Sequence, residues 1–85
     1  MQTIYTKEFK KDYKKFPSYI KEKVDSRLRL FATSEFDTIL NNHKLHYPWD
    51  GHRSINITGD IRLIYKQIEL VRLLVRVGSH SELYD

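Results

Sequence analysis

Eighty-five residues carry 15 Lys and Arg against 11 Asp and Glu, which leaves a formal charge of +4. A chain this short holds one domain, residues 1–85, with one modest core that buries roughly 60–70% of the unfolded surface, and has no room for a separate cofactor domain. There is no cysteine, so disulfide frameworks, thiolate metal sites and thiol nucleophiles are excluded, and a cytoplasmic location is expected. The positive excess favours a polyanionic partner, with nucleic acid ahead of an acidic protein or a membrane surface. The N-terminal stretch turns charged within its first seven residues, which predicts no signal peptide. No window approaches the roughly 20 apolar residues of a membrane span, so no membrane partner is expected.

In chain order, Gln2-Thr3-Ile4-Tyr5 is β-branched and aromatic and predicts a strand. Thr6 is a helix N-cap, with Glu8 in the first turn where the helix dipole favours an acid. Phe9, Tyr13 and Phe16 share one face of the helix that follows, and Lys7, Lys10, Lys11, Lys14 and Lys15 fill the rest. Pro17 stops that helix and suits the first position of the next one. Ile20, Val24, Leu28 and Phe31 make the second helix amphipathic to about Thr33. From Ser34 to Gly51 the pattern loosens into a loop rich in Asn, Pro, Asp and Gly. Alternation then predicts strands at Arg53–Ile57, Ile61–Lys66 and Leu70–Val77, the first two joined by a Thr58-Gly59-Asp60 turn. Gly78 is expected to end the last strand, and Ser79–Tyr84 reads as a helical turn or tight tail.

Several polar residues in this frame have two readings. The lysines of the first helix are either a phosphate-facing surface or a solvated face. Arg62, Arg72 and Arg76 come from strands and form either a polyanion platform or ordinary exposed filling, with Glu69 or Glu82 as a pairing partner for Arg76. The histidines His43, His46, His52 and His80 lack any metal-ligand spacing, so no metal or cofactor is expected. An imidazole's ordinary pKa near ~6.5 suits acid–base chemistry instead. Asp60 is a turn residue or a site carboxylate. Trp49 is assigned to loop packing.

Two stretches carry a family pattern: LNNHKLHYPWDGHRSINITGDIRLIY (Leu40–Tyr65) and LVRVGSHSELY (Leu74–Tyr84). A His-x-Leu loop (His43-Lys44-Leu45), a strand opening on Arg53, Asp60 before Ile64-Tyr65, and Arg76-x-Gly78-Ser79-His80 ahead of Leu83-Tyr84 occur in order. Over essentially its whole length the chain resembles the RelE/ParE toxin superfamily of type II toxin–antitoxin modules, in its YafQ-like branch. The resemblance implies an α+β fold of RelE-like order β-α-α-β-β-β, a helical hairpin on a small antiparallel sheet. It further implies a ribosome-dependent endoribonuclease that cuts mRNA without a metal or cofactor and so inhibits translation. The ribose 2′-OH would attack the adjacent phosphate, which needs a base, a cation and an acid.

Family positions carry over onto His43, Asp60, Arg76, His80 and Tyr84. His80 takes one proton-transfer role, with Asp60 or His43 as counterpart, and Arg76 meets the phosphate charge. Tyr84 stacks on a base or orients the phosphate. Lys44, Arg53, Asn56 and Arg62 are the expected RNA contacts. The implied partners are a cognate antitoxin, the ribosome and mRNA, with operator DNA reached only through the antitoxin complex. Two positions depart from the branch. Asn56 stands where a histidine is frequent, and an amide cannot shuttle a proton. Ile61 stands where an aromatic often follows the Asp. His52, on the strand face of Ser54 and Asn56, is the candidate substitute for the missing imidazole. The alternatives are a ParE-like DNA gyrase inhibitor and a catalytically impaired RNA-binding homologue.

Overall fold

A computed structural model describes residues 1–84: β1 (Gln2–Tyr5), α1 (Lys7–Lys14), α2 (Ser18–Thr33), a 3-10 turn (Thr38–Leu40), β2 (His43–Lys44), β3 (Arg53–Asn56), β4 (Ile61–Ile68), β5 (Val71–Ser79) and α3 (His80–Tyr84). Thr6 caps α1 as its sequence position predicts, with Oγ1 accepting from the Phe9 amide at 3.0 Å. Pro17 is the N-cap of α2 and so sits one residue before the position expected for it. The strands form one five-stranded sheet in the order β1-β5-β4-β3-β2. β1 runs parallel to β5 and the other pairs are antiparallel, so the sheet is mixed and not purely antiparallel. β2 emerges from the segment expected to be loop. β5 runs through Gly78, where the expected strand would have stopped.

Both long helices cover one face of the sheet. Phe9, Val24 and Phe31 pack there against Ile55, Leu63, Tyr65, Leu74 and Val77. Each such side chain stabilises the fold by roughly 1.5–3 kcal/mol on burial. Leu74 and Val77 are three apart yet both enter this core, which strict alternation forbids. The register explains it. Tyr65 lies opposite Leu74 and Ile64 opposite Arg76, which leaves Val75 as the extra residue of a β-bulge. Alternation alone would put Arg72, Leu74 and Arg76 on the helix-covered face. The bulge turns Arg76 over to the opposite face, the kind of re-aiming bulges perform.

Candidate active site

The face away from α1 and α2 carries a cross-strand row that spans four strands. His43 on β2 lies opposite Ser54 on β3, Ser54 opposite Ile64 on β4, and Ile64 opposite Arg76 on β5. Three strand spacings of roughly 4.8 Å put the ends of this row about 14 Å apart, and its middle members Ser54 and Ile64 are fully buried. Asn56, Arg62 and Gly78 form the neighbouring row.

α3 folds over these rows. A β-carbon on Gly78 would lie 3.2 Å from Glu82 Oε1 and 3.4 Å from Leu83 Cδ2, so glycine lets α3 approach the strand. Ser79 and Glu82 form a reciprocal cap: the Ser79 amide donates to Glu82 Oε1 at 2.8 Å, and the Glu82 amide donates to Ser79 Oγ at 3.2 Å. Such a capping box satisfies two otherwise orphan amides. The Ser79 backbone bond holds the Glu82 carboxyl below its ordinary value. Tyr84 Oη reaches Ser54 Oγ at 3.4 Å, and the His80 and Tyr84 rings lie 4.7 Å apart. The His80 amide donates to the Asp60 carbonyl at 3.2 Å, which joins the β3–β4 turn to α3 through the backbone. The Asp60 side chain itself is exposed.

His43 has a defined tautomer. Its Nδ1 lies 2.7 Å from the Asn41 carbonyl, which only accepts, so Nδ1 carries the proton and the neutral ring keeps its lone pair on Nε2. His52 is set the same way by the Asp50 carbonyl at 3.1 Å, and its ring meets Trp49 edge-on. Trp49 Nε1 donates to the Leu83 carbonyl at 2.9 Å, which ties this loop to α3. That is the packing role expected of Trp49.

Arg76 is gripped by α1, not by Glu69 or Glu82. Its Nε donates to Asp12 Oδ2 at 2.6 Å and its Nη2 to Asp12 Oδ1 at 3.2 Å. Asp12 Oδ2 also accepts the Val77 amide at 3.1 Å, on the edge of β5 beyond the end of β1. The bond to Asp12 raises the Arg76 pKa above its ordinary value, with Glu82 and Glu8 adding to it.

The expected RNA contacts divide between the two faces. Asn56 and Arg62 are on the open face, where Arg62 Nη1 donates to the Thr58 carbonyl at 2.9 Å. Asn56 Oδ1 is buried and has no partner among the described residues. Lys44 and Arg53 pair with each other in the strand register and lie on the helix-covered side with Tyr65, away from His43. There Arg53 Nε donates to Asn42 Oδ1 at 2.7 Å, Asn42 donates to Tyr65 Oη at 2.8 Å, and Tyr65 donates to Glu35 Oε2 at 2.9 Å. Arg72 closes the chain with two bonds to Glu35, of 3.0 and 2.8 Å. Arg53 therefore braces the loop before His43. Ile61 packs against the core, so its difference from an aromatic does not alter the open face.

Two features went unread in the sequence. Asp12 lies among lysines and gave no signal. Tyr47 projects from the site loop, 90% exposed. A separate hollow lies between α1 and α2. It is an apolar groove of about 720 Å³ floored by Tyr5, Phe9, Tyr13 and Leu28 and rimmed by lysines of α1. Among the described residues no three His, Cys, Asp or Glu gather as metal ligands, and no helix is long and apolar enough to cross a membrane.

A helical hairpin on one face of a five-stranded mixed sheet is the architecture of the RelE- and YafQ-like toxins. The YafQ family, described as a bacterial toxin of type II toxin–antitoxin systems, matches residues 1–85, and the chain belongs to it. Solved structures agree in fold. YafQ from E. coli strain BL21(DE3) is 24% identical, with 99% of this chain and 98% of that one covered at a TM-score of 0.85. The toxin of the E. coli DinJ–YafQ toxin–antitoxin complex is 25% identical, with 99% and 97% covered and a TM-score of 0.82. The Staphylococcus aureus YoeB–YefM complex contains a match at 19% identity, 94% and 97% coverage and a TM-score of 0.77. No curated protein matches the sequence significantly.

Proposed function

We propose that this toxin is a cytoplasmic, ribosome-dependent endoribonuclease that cuts mRNA, and that the open sheet face is its active site. The observation that carries the reading is the row from His43 to Arg76, with Tyr84 and His80 brought over it by α3. In the reaction the 2′-oxygen bonds to phosphorus and the bond from phosphorus to the 5′-oxygen breaks. The products are a 2′,3′-cyclic phosphate and a 5′-hydroxyl. His43, with its Nε2 lone pair free, takes the 2′-OH proton. His80 returns a proton to the leaving 5′-oxygen, with Asp60 across the backbone bond beside it. Arg76 meets the charge that builds on the phosphorane, a kind of stabilisation worth about 10²–10³ in rate. Tyr84 orients the phosphate or stacks on a base, and Asn56 and Arg62 extend the same face.

The partner under this reading is a small acidic antitoxin. The lysine-rimmed apolar groove between α1 and α2 suits an amphipathic acidic helix, because it offers both apolar area and complementary charge.

The test is cleavage of message bound to translating ribosomes. The wild type is expected to leave fragments ending in cyclic phosphate, and His80→Ala should slow the reaction by about 10²–10⁴-fold. Message left intact by the wild type at concentrations that arrest growth rules the reading out.

A further inference from the structure

Arg76 is useful to a phosphate only if its flexible side chain is held in one orientation, and the only carboxylate that holds it among the described residues comes from α1. We propose that Asp12 is a positioning residue: by occupying Nε and Nη2 of Arg76 it presents the remaining N–H groups of the guanidinium to the open face. The inference rests on the endoribonuclease reading of that face. A guanidinium has five N–H donors, and Asp12 engages one on Nε and one on Nη2, so Nη1 and the second Nη2 hydrogen stay available. Those are the donors that form the end-on fork to a phosphate.

Three further observations support the assignment. The Asp12 carboxylate is only 14% exposed and accepts three bonds, counting the Val77 amide, so its own position is fixed. The helix that carries it is fastened to the same bulge that re-aims Arg76, since the Thr6 amide donates to the Leu74 carbonyl at 3.0 Å and Thr6 Oγ1 to the Val75 carbonyl at 2.8 Å. Finally, Arg76 has competing acids nearby, Glu82 on α3 and Glu8 on α1. A guanidinium released by Asp12 would be free to swing toward these acids.

The experiment compares wild type, Asp12→Asn, Arg76→Ala, Arg76→Lys and the double variant Asp12→Asn/Arg76→Ala. Two readouts are taken: cleavage of ribosome-bound message, and affinity for a short single-stranded RNA. Asn keeps an oxygen for the Val77 amide but loses the two-pronged anion, so it separates a backbone cap from a side-chain clamp. Asp12→Asn should lower kcat about 10- to 100-fold, the scale of an angstrom-sized misplacement, with KM for ribosomes within about 2-fold. It should add nothing once Arg76 is Ala, because its effect runs through that residue. Should Asp12→Asn not fold, Arg76→Lys reads the same clamp: an ammonium cannot hold both anions in a fork, so kcat should fall nearly as far as in Arg76→Ala. An unchanged kcat in Asp12→Asn, losses that multiply in the double variant, or near-wild-type cleavage by Arg76→Lys overturns the proposal. If the wild type cleaves nothing, the endoribonuclease reading falls and RNA affinity decides on Asp12. A loss with the same non-additive pattern keeps the positioning role. Equal affinity of wild type and Asp12→Asn, or no RNA binding by the wild type, removes it.

Discussion

At one end of β5, Arg72 donates from Nε and Nη2 to the carboxylate of Glu35; four residues on, Arg76 makes the same two-pronged bond to Asp12. The surroundings of the two pairs differ. Arg72 and Glu35 are 14% and 13% exposed, on the helix-covered face, and belong to a closed chain that runs through Tyr65 and Asn42 to Arg53. Arg76 is 32% exposed against 14% for Asp12, and the bulge at Val75 has moved it to the open face. One fork is a brace with its donors turned inward, whereas the other leaves a guanidinium edge for something outside the chain. Under the proposed function, identical pair chemistry serves stability in one place and presentation in the other, and burial together with strand register decides which.

The largest effect that separates the two pairs is on stability. Arg72→Ala leaves the part-buried Glu35 carboxylate without its cation, and the cost lies between those of exposed and fully buried pairs, about 1–3 kcal/mol. Urea denaturation should show that loss, while cleavage per folded molecule stays within about 3-fold of wild type, since Arg72 is on the far face of the sheet. A stability loss below about 1 kcal/mol would mean the brace is incidental.

A second effect is the pH range of the brace. Burial raises the Tyr65 hydroxyl from 10.0 to about 12. Its contribution is therefore fully present below pH 10 and lost as pH rises toward about 12. The Arg72 bond lowers the Glu35 carboxyl below 4.5, so its contribution is present above that value and lost as pH falls through the lowered one. Tyr65→Phe should flatten the alkaline limb of stability against pH, at a cost of about 1 kcal/mol for the missing hydrogen bond. It should weaken the acid limb only in part, because the Arg72 bond is the larger cause of the lowered Glu35 carboxyl. An unchanged alkaline limb would contradict the assignment.

The smallest effect concerns α3. Glu82 is held below its ordinary carboxyl value chiefly by the Ser79 backbone bond. The cap is accordingly complete at neutral pH and lost as pH falls through that lowered value. Glu82→Gln should reduce hydrogen-exchange protection of the α3 amides at neutral pH and leave that of β4 unchanged. Equal protection in the two proteins would show that the Glu82 carboxylate does not hold the tail.

Much of the frame was legible in the residues. Thr6 and Pro17 mark the helix ends through capping and ring geometry, and the alternation from Arg53 onward predicts the meander. The tail's Ser79-x-x-Glu82 spacing is a readable capping box that passed as a bare helical turn. Other features have no local signal. β2 is two residues long and exists because Ser54 and Arg53 offer it partners. The bulge is hidden because Leu74, Val75 and Val77 are all apolar, so the alternation looks the same with or without it. Without the bulge, Arg76 belongs on the wrong face. Asp12 and Glu35 are distant in sequence from the arginines they hold, which left Glu69 and Glu82 as the nearer guesses for Arg76. For the candidate site, the residue types were readable and the register that gathers them was not.

The most direct test of the open-face active site is the rate of ribosome-bound message cleavage by wild type and Arg76→Ala, taken with an unfolding curve for each. A loss of about 10²–10³ in rate is expected at a temperature where both proteins are folded. Cleavage close to wild type, with only the unfolding curve displaced, would make Arg76 a second brace like Arg72 and place the chemistry elsewhere.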